Sequence, residues 1–240
     1  MENIKVIDCF CGWCDLLGYG KIFKDAKWNL HDKSCYANFE RIKKVKDLLQ
    51  NPYTLGKTLL LNDGVIKTFD VENNPDNDMT NIANFLIQFV KGFDKINEKD
   101  KIEDSYGIRG VFTYGQRYEY TEYSFMTTVR EIRVYFPREF QMNTAFSKAN
   151  IIEESGSKYG VKGPFLYFDA FVLKAIKAIA DKASSHSVKE YRKDGYYYFS
   201  IYRMAMPMIT LKFEENGIPY NNEAIETTLY KVLSYELVGV

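Results

Sequence analysis

The chain has 240 residues, of which 46% are hydrophobic, and its 32 basic and 32 acidic side chains give a formal net charge of +0. This length permits one large core or two small ones, and a neutral chain lacks the global positive field of most nucleic-acid-binding proteins. We therefore expect a globular protein without a nucleic-acid partner, in which any anionic ligand is held locally. Met1-Glu2-Asn3 does not begin a signal peptide, and no apolar stretch reaches the roughly 20 residues that span a bilayer, so we expect a cytoplasmic protein without membrane contact.

The first half of the chain predicts a strand, a long helix, a hairpin and a second long helix. The predicted segments are a strand at 4–14, a helix at 19–50 ended by Pro52, strands at 57–61 and 65–71, and a helix at 80–96 after a polar loop at 72–78. Apolar residues recur at helical spacing in both helices. Asn62-Asp63-Gly64 between the two strands is a strong hairpin signal, because these residues tolerate the positive φ angles of tight turns.

The second half continues with alternating strands and helices. Strands are predicted at 108–116, 127–136, 165–168, 196–204 and 208–213, and helices at 145–158, 170–182 and 222–235. Asp169 is a plausible N-cap of the helix that follows it. The segment 117–122 alternates aromatic and charged residues. The pattern contains no internal repeat and indicates one mixed domain of helices and strands over residues 1–240.

Four cysteines lie near the N-terminus, and Cys11-Gly12-Trp13-Cys14 is a C-x-x-C sequence. Such spacing suits a redox pair or half of a zinc site, for which His31 and Cys35 would be further ligands. A redox C-x-x-C opens a helix, whereas this one lies in a predicted strand. We favour the simpler interpretation that Cys9 and Cys11 point to one face of the strand and Cys14 to the other, as small core residues.

Two aspartates carry most of the functional information. Asp15 directly follows the first apolar strand, and Asp63 lies at the tip of the predicted hairpin. If the two carboxylates meet in space, they form a hard, oxygen-rich site for Mg²⁺ or Mn²⁺ beside the start of a helix, which suits a nucleoside triphosphate. Either residue alone would be an ordinary N-cap or turn former.

The order of these motifs resembles that of a known family. The chain presents Asp15-Leu16-Leu17-Gly18-Tyr19, then Asp63 in a hairpin, then Ile108-Arg109-Gly110-Val111-Phe112-Thr113-Tyr114-Gly115. This series resembles the catalytic domain of class III nucleotide cyclases, in which the first motif is usually Asp-hydrophobic-x-Gly-Phe. The resemblance covers residues 4–182, and the segment 195–236 would complete the domain. It implies an α+β fold of ferredoxin-like type, with a mostly antiparallel sheet flanked by helices.

The resemblance implies a metal-dependent reaction. In a cyclase the ribose 3′-hydroxyl attacks the α-phosphorus and expels pyrophosphate, with two Mn²⁺ or Mg²⁺ ions assisting. Asp15 and Asp63 would bridge the two ions, and the carbonyl of Leu16 would complete the coordination of the second ion. The amides of Leu17, Gly18 and Tyr19 would bind phosphate oxygens. The family also implies a homodimer with the active sites at its interface.

Three further positions are candidates for stabilising the transition state. Family members carry an Asn and, four residues later, an Arg on the late helix, which here resembles residues 145–154. The direct alignment places Ser147 and Ile151 at those positions, and neither can do the same work. Arg138, Asn143 and Lys148 lie within a turn or two and are the candidate substitutes. The sequence does not choose among them.

The positions that read a purine base in the family are also changed. Leu59 stands where a Lys or Glu is normal, and its partner position falls at Phe140. Altered base positions beside intact metal ligands resemble the pyrimidine cyclases of the bacterial anti-phage Pycsar systems. That resemblance implies cyclic UMP or cyclic CMP as a second messenger that activates a separate effector. A purine cyclase and a catalytically degenerate domain are the alternatives.

The aromatic content supports one alternative function of a different class, the binding of single-stranded nucleic acid. The chain has 19 tyrosines and 17 phenylalanines, several of them in Tyr196-Tyr197-Tyr198-Phe199. Such residues can form a stacking platform for single-stranded nucleic acid. We favour a role in the sheet and in subunit contacts, because aromatic residues are common in both and the chain is neutral overall.

Overall fold

The computed structural model describes residues 4–49, 56–119 and 137–237. These residues form five helices and ten strands. In chain order they are β1 (Lys5–Leu16), α1 (Tyr19–Asp25), α2 (Ser34–Leu49), β2 (Lys57–Leu61), β3 (Gly64–Asp70), α3 (Pro75–Ile102), β4 (Ile108–Glu119), α4 (Thr144–Glu154), β5 (Leu166–Asp169), α5 (Ala170–Ala180), β6 (His186–Lys193), β7 (Tyr196–Arg203), β8 (Met206–Glu214), β9 (Ile218–Asn221) and β10 (Glu226–Leu237). None of these helices combines the length and the apolar character that crossing a bilayer requires.

The strands form one large sheet in the order β2-β3-β1-β4-β5-β10-β8-β7-β6, and β9 pairs with β10 beside this path. Among the strands that the structure describes, only β4 and β5 run parallel, and the other neighbours are antiparallel. The predicted fold class, an α+β domain with a mostly antiparallel sheet flanked by helices, is confirmed.

Helices cover the two faces of the sheet differently. Phe10, Cys14 and Leu16 of β1 point into the main core, which contains the apolar side of α3 and of α5. Cys9, Cys11 and Trp13 point to the opposite face, where they pack against α4. This alternation follows from the two-residue period of a strand.

The predicted role of the cysteines as core residues is confirmed. All four are free and buried. Burial raises the pKa of the Cys9 thiol to about 12 and holds the pKa of Cys11 well above its ordinary value. Thiols that stay protonated are poor nucleophiles and poor metal ligands. In the described part of the chain, no group of three or more His, Cys, Asp or Glu side chains has the geometry of a metal site.

The predicted helix at 19–50 is wrong in its middle. The chain instead forms the short helix α1, a turn, and then α2. Lys27 and Trp28 adopt positive φ angles of 52° and 60°, which no helix continues through. Asp32 then accepts a hydrogen bond from the amide of Ser34 at 2.9 Å and starts α2.

The predicted C-terminal helix at 222–235 is also wrong, because this segment lies in strand β10. Leu229 pairs with Asp169 of β5, and Tyr235 pairs with Leu211 of β8. Ile225, Leu229 and Leu233 recur every fourth residue, a spacing that fits one face of a helix as well as one face of a strand. Strand β10 also contains a register shift between Val232 and Ser234. Strand β6 was not predicted.

Other predicted elements agree with the structure. The hairpin around Asn62-Asp63-Gly64 joins β2 and β3, and Asp169 caps α5 by accepting from the amide of Phe171 at 3.2 Å. Helix α3 begins at Pro75, five residues before the predicted start, after the N-cap Asn74. The predicted strand at 127–136 and the segment 120–122 lie outside the described residues.

Candidate active site

The two aspartates singled out by the sequence come together where β1 ends. Asp15 pairs with Gly64 of β3 on one side and with Arg109 of β4 on the other. The amide of Leu16 donates to the main-chain carbonyl of Asp63 at 3.0 Å. Asp15 and the turn residue Asp63, 48 positions apart in sequence, are therefore neighbours in space. Both side chains are partly buried.

A third carboxylate, that of Glu153, lies beside them. Glu153 is in the last turn of α4 and is only 6% exposed. The Arg109 guanidinium donates to its Oε1, through Nε at 3.1 Å and also through Nη2. Arg109 Nη1 further donates to the carbonyl of Val161 at 3.4 Å. This ion pair holds α4 against β4 directly next to Asp15.

These neighbours change the protonation of Asp15. Burial, together with the negative charges of Glu153 and Asp63, raises the pKa of the Asp15 carboxyl from 3.8 to about 7, while Arg109 opposes the shift. Neighbouring negative charges make ionisation of a carboxyl group unfavourable, and an added cation makes it favourable again. Strongly shifted acids of this kind are concentrated at functional sites.

The loop after Asp15 is a tight turn that requires glycine. Gly18 has a φ of +76°, and a Cβ at this position would lie 2.1 Å from the Tyr106 ring. The amide of Leu17 already donates to the carbonyl of Gly107 at 3.0 Å. That amide is not free to bind phosphate, which corrects the prediction for Leu17. The amides of Gly18 and Tyr19 remain as the candidate phosphate donors of this loop.

The side chain of Tyr19 links the loop to the hairpin. Its hydroxyl donates to Asn62 Oδ1 at 3.3 Å, and the main-chain carbonyl of Tyr19 accepts from Asn38 Nδ2 at 3.0 Å. Burial and the charge of Asp63 raise the pKa of the Tyr19 phenol. The turn that carries Asp63 is thus held against the start of α1.

Sequence analysis did not single out Glu153, Arg109 or Lys21 as site residues. Lys21 lies in the first turn of α1, and its Nζ donates to the Tyr106 hydroxyl at 2.6 Å, which places a cation beside the Gly18 turn. Arg109 and Glu153 stand in segments that carry the family resemblance. Only the antiparallel pairing of β1 with β4 shows that Arg109 lies directly opposite Asp15.

Asn143, a predicted transition-state residue, has a structural role. It is 2% exposed and is the N-cap of α4, where its Oδ1 accepts from the amide of Phe146 at 2.9 Å. Its Nδ2 donates to the carbonyl of Glu139 at 2.8 Å. The side-chain amide is therefore already used within the fold, so the structure assigns it to capping rather than to substrate.

Lys148 points away from the aspartates of its own chain. Its Nζ donates to the carbonyl of Tyr114 at 3.1 Å and lies 5.0 Å from the centre of the Phe171 ring. Arg138 begins the short 3-10 turn Arg138–Phe140, and its side chain lies outside what the structure describes. The described residues therefore do not bring Lys148 to Asp15 within one protomer.

The two predicted base-contacting residues share one apolar cluster. Phe140 is 6% exposed and packs with Trp13, Ile66 and Ala149, and Leu59 of β2 packs partly buried against the same cluster. The Trp13 indole stacks on the Phe146 ring, with centroids 5.8 Å apart. This cluster lies beneath α4 on the same sheet face as Asp15. Because Phe140 is buried, it can support a ligand site from below more readily than line it.

The oxygen ligands expected of a magnesium or manganese site are partly present. Asp15 and Asp63 supply carboxylate oxygens only, which is the chemistry that these hard cations prefer. The excess negative charge around Asp15 would be relieved by a divalent cation. Glu153 is engaged by Arg109, so the remaining ligands would come from main-chain oxygens such as that of Leu16, from substrate and from water.

Comparisons with known proteins gave structural matches only. No protein-family model matches the chain, and no curated protein matches it. The guanylyl cyclase Cya2 matches with a TM-score of 0.46 at 10% identity, over 95% of this chain and 93% of that one. The adenylyl cyclase CyaB from P. aeruginosa matches with a TM-score of 0.42 at 8% identity, over 97% and 96%.

A dimeric guanylyl cyclase domain of the RhoGC fusion protein from the aquatic fungus Blastocladiella emersonii matches with a TM-score of 0.41 at 10% identity, over 99% of this chain and 100% of that one. At these identities and scores, no residue role is transferred from the matched structures to this chain.

Proposed function

We propose that this protein is a nucleotide cyclase, which converts a nucleoside triphosphate into a 3′,5′-cyclic nucleotide and pyrophosphate. The observation that carries the proposal is the meeting of Asp15 and Asp63 beside the Gly18 turn. Their proximity to Glu153 leaves Asp15 with a pKa of about 7, which an added cation would lower.

In the proposed reaction, the ribose O3′ forms a bond to the α-phosphorus while the bond to the pyrophosphate oxygen breaks. The proton of the 3′-hydroxyl leaves to solvent or to a nearby base. Mn²⁺ or Mg²⁺ would supply Lewis-acid activation of the hydroxyl and charge neutralisation of the leaving group. Asp15 and Asp63 would hold such cations, and the Gly18 and Tyr19 amides would orient the phosphates. The Arg109–Glu153 ion pair fixes the position of Asp15.

We further propose that the active enzyme is a symmetric homodimer. A triphosphate carries several negative charges, yet Arg109, the guanidinium closest to Asp15 in the pairing of β1 and β4, is committed to Glu153. Lys148 is turned away from Asp15 in its own chain. A second copy related by a two-fold axis would bring its own cations to the site, and it would make two equivalent sites.

We propose a pyrimidine substrate, UTP or CTP, with UTP the first choice. The support is chemical: Leu59 and Phe140 belong to an apolar cluster and offer no hydrogen bonds to a purine edge. With the resemblance to the Pycsar cyclases, this substrate class makes the product a second messenger in anti-phage defence, acting through a separate effector.

The proposal is tested by incubating the purified protein with each of the four nucleoside triphosphates and Mn²⁺, followed by mass spectrometry of the products. We expect cyclic UMP or cyclic CMP to dominate. Cyclic AMP or cyclic GMP as the main product would replace the pyrimidine assignment with a purine cyclase. The absence of any cyclic product from a folded, metal-loaded protein would contradict the cyclase assignment.

The proposed contact between Leu59 and the base is tested by a separate variant. Leu59→Lys would place a poorly paired charge against the apolar cluster, so we expect it to depress pyrimidine turnover. Leu60→Lys at the neighbouring position of β2, which points to the opposite side of the strand and is 40% exposed, is the matched control. Equal turnover by both variants would remove Leu59 from the base site.

The dimer is tested by mixing two inactive chains. An Asp15→Ala, Asp63→Ala chain and a Lys148→Ala chain should regain partial activity on mixing, because one hybrid site is intact. Sedimentation that shows an active, strictly monomeric protein at assay concentration would overturn the dimer.

A further inference from the structure

The C-terminal part of the sheet has two different faces. Val188, Ile201 and Leu211 represent the inner face of β6, β7 and β8, and they pack into the main core. The residues that alternate with them point outward. We call this side the outer face, and it carries Tyr191 of β6, Tyr196, Tyr198 and Tyr202 of β7, and Lys212 of β8.

Two tyrosines of the outer face form a stacked pair, and all four leave part of their surface open to solvent. Tyr191 and Tyr198 are direct cross-strand partners, and their rings stack with centroids 4.8 Å apart and an interplanar angle of 8°. Tyr191 is 44% exposed, and Tyr196, Tyr198 and Tyr202 are partly exposed. Ring surface is therefore open to solvent along two neighbouring strands.

Lysines accompany these rings. Lys212 Nζ lies 3.6 Å from the centroid of the Tyr196 ring, and Lys189 Nζ lies 4.7 Å from that of Tyr202. Lys193 pairs with Tyr196 across the strands and is exposed. Of the acids on this side, Glu214 is paired with Lys231, and Glu236 of β10 is the remaining one that faces Tyr191. The face is locally basic in a chain that is neutral overall.

We infer that the outer face of β6, β7 and β8 binds single-stranded nucleic acid. Unpaired bases would stack on Tyr191 and its neighbours, and the phosphates would lie against Lys189, Lys193 and Lys212. Sequence-tolerant binding of single strands combines aromatic stacking with a basic surface in this way. The inference departs from the expectation of no nucleic-acid partner, which rested on net charge; net charge does not report how charges are distributed over a surface.

The same face is less suited to a second copy of this chain. Two copies meeting through it would bring two lysine-bearing patches together, since a two-fold interface uses the same surface of both copies. A nucleic-acid backbone supplies the complementary charge instead. A duplex has its bases already stacked and offers no free base faces, so the proposal is restricted to single strands.

The test measures fluorescence anisotropy of labelled oligo(dT) and oligo(U) of about 12 nucleotides, within the usual site size of such surfaces. We expect binding at low salt, with a log–log salt dependence of slope about −2 from three lysine contacts. Tyr191→Thr with Tyr198→Thr keeps strand-forming residues and should weaken binding by about tenfold or more. Tyr36→Thr, at an exposed tyrosine of α2, is the matched control.

A second pair of variants keeps the test decisive if the tyrosine variant does not fold. Lys189→Gln with Lys193→Gln should weaken binding and flatten the salt dependence, whereas Lys33→Gln at an exposed turn should not. The inference is overturned by no binding at low salt, by equal binding of a duplex, or by equal affinities of the outer-face variants and their controls. A change in dimer sedimentation without a change in oligonucleotide binding would assign the face to protein contact instead.

Discussion

Asp15 and Asp76 are two aspartates in opposite electrostatic situations. Asp76, in the first turn of α3, accepts hydrogen bonds from the amides and hydroxyls of Ser184 and Ser185 at 2.6 to 3.1 Å. These four donors hold the pKa of Asp76 well below its ordinary value. Asp15 is instead buried among carboxylates, which raises its pKa to about 7.

The difference separates an acid that supports the fold from one available for chemistry. The carboxylate of Asp76 is satisfied by the loop between α5 and β6, and it joins that loop to α3. His186 lies against the same carboxylate, with Nδ1 3.4 Å from Asp76 Oδ1. The ionised form of Asp15 is left without sufficient partners, a state that a fold tolerates where a ligand will complete it.

The largest expected effect is on activity, which should depend on Asp15 and Asp63 but not on Asp76. Asp15→Asn and Asp63→Asn should each lower cyclic-nucleotide formation by about a hundredfold or more, because metal-held charge stabilisation amounts to several kcal/mol. Asp76→Asn should keep its turnover per folded molecule. Product formation is measured by mass spectrometry, with the folded fraction from circular dichroism. Full activity of Asp15→Asn would remove the proposed site.

The next effect concerns competition between protons and metal at Asp15. Because its pKa of about 7 lies far above 3.8, most of its carboxyl groups are protonated at about pH 6 and ionised at about pH 8. We expect the Mn²⁺ concentration for half-maximal activity to fall by about tenfold between these pH values. In Asp25→Asn, at an exposed acid of α1, the same fall should remain. A pH-independent Mn²⁺ requirement would show that Asp15 does not bind the metal.

A smaller effect separates the two aspartates by stability. The pKa of Asp15 is higher in the folded than in the unfolded chain, so the folded state binds more protons and the free energy of unfolding falls as pH rises from about 4 to about 7. Without metal, Asp15→Asn should therefore raise stability at about pH 8, by on the order of 2 kcal/mol, and have little effect at about pH 4.

Asp76 should show the opposite sign. Its folded pKa is depressed, so its contribution is present above the ordinary aspartate pKa of 3.8 and is lost as pH falls below it. Asp76→Asn should lower the melting temperature at neutral pH, and this difference should shrink in acid. Thermal melts of both variants over a pH series check the two signs together. Shifts of the same sign would mean that the two carboxylates do not differ as described.

The sequence located the two aspartates that the fold brings together, but not the residues that surround them. Asp63 and Gly64 form a turn signal that is visible in the local sequence, and Asp15 ends an apolar run. The positions of Asp15 and Asp63 could therefore be predicted from short segments. Arg109 and Glu153 could not, because their proximity to Asp15 depends on the pairing of β1 with β4 and on the packing of α4. Those are long-range contacts with no local signal.

Local pattern failed where two periodicities competed. In and just before β10, apolar residues recur every fourth position, as in a helix, at Ile225, Leu229 and Leu233. Pairing with β5, β8 and β9 nevertheless makes Glu226–Leu237 a strand. Tertiary pairing overrides such a pattern when the neighbouring strand edges are unfilled. The break between α1 and α2 was missed for a different reason, because a local signal is absent there. Lys27 and Trp28 adopt positive φ angles, yet neither is a glycine that would indicate such a turn in the sequence.

The smallest expected effect tests whether a raised pKa alone marks a functional group. Burial raises the pKa of Cys11 well above its ordinary value, with smaller contributions from Cys9 and Cys14 and none from a carboxylate or a cation. Cys11→Ala should therefore leave turnover within about twofold, and the native thiols should react with a maleimide far more slowly than after unfolding. Asp15 differs because neighbouring carboxylates, in addition to burial, oppose its ionisation. A loss of activity in Cys11→Ala as large as in Asp15→Asn would show that desolvation, rather than the meeting of carboxylates, distinguishes this end of the sheet.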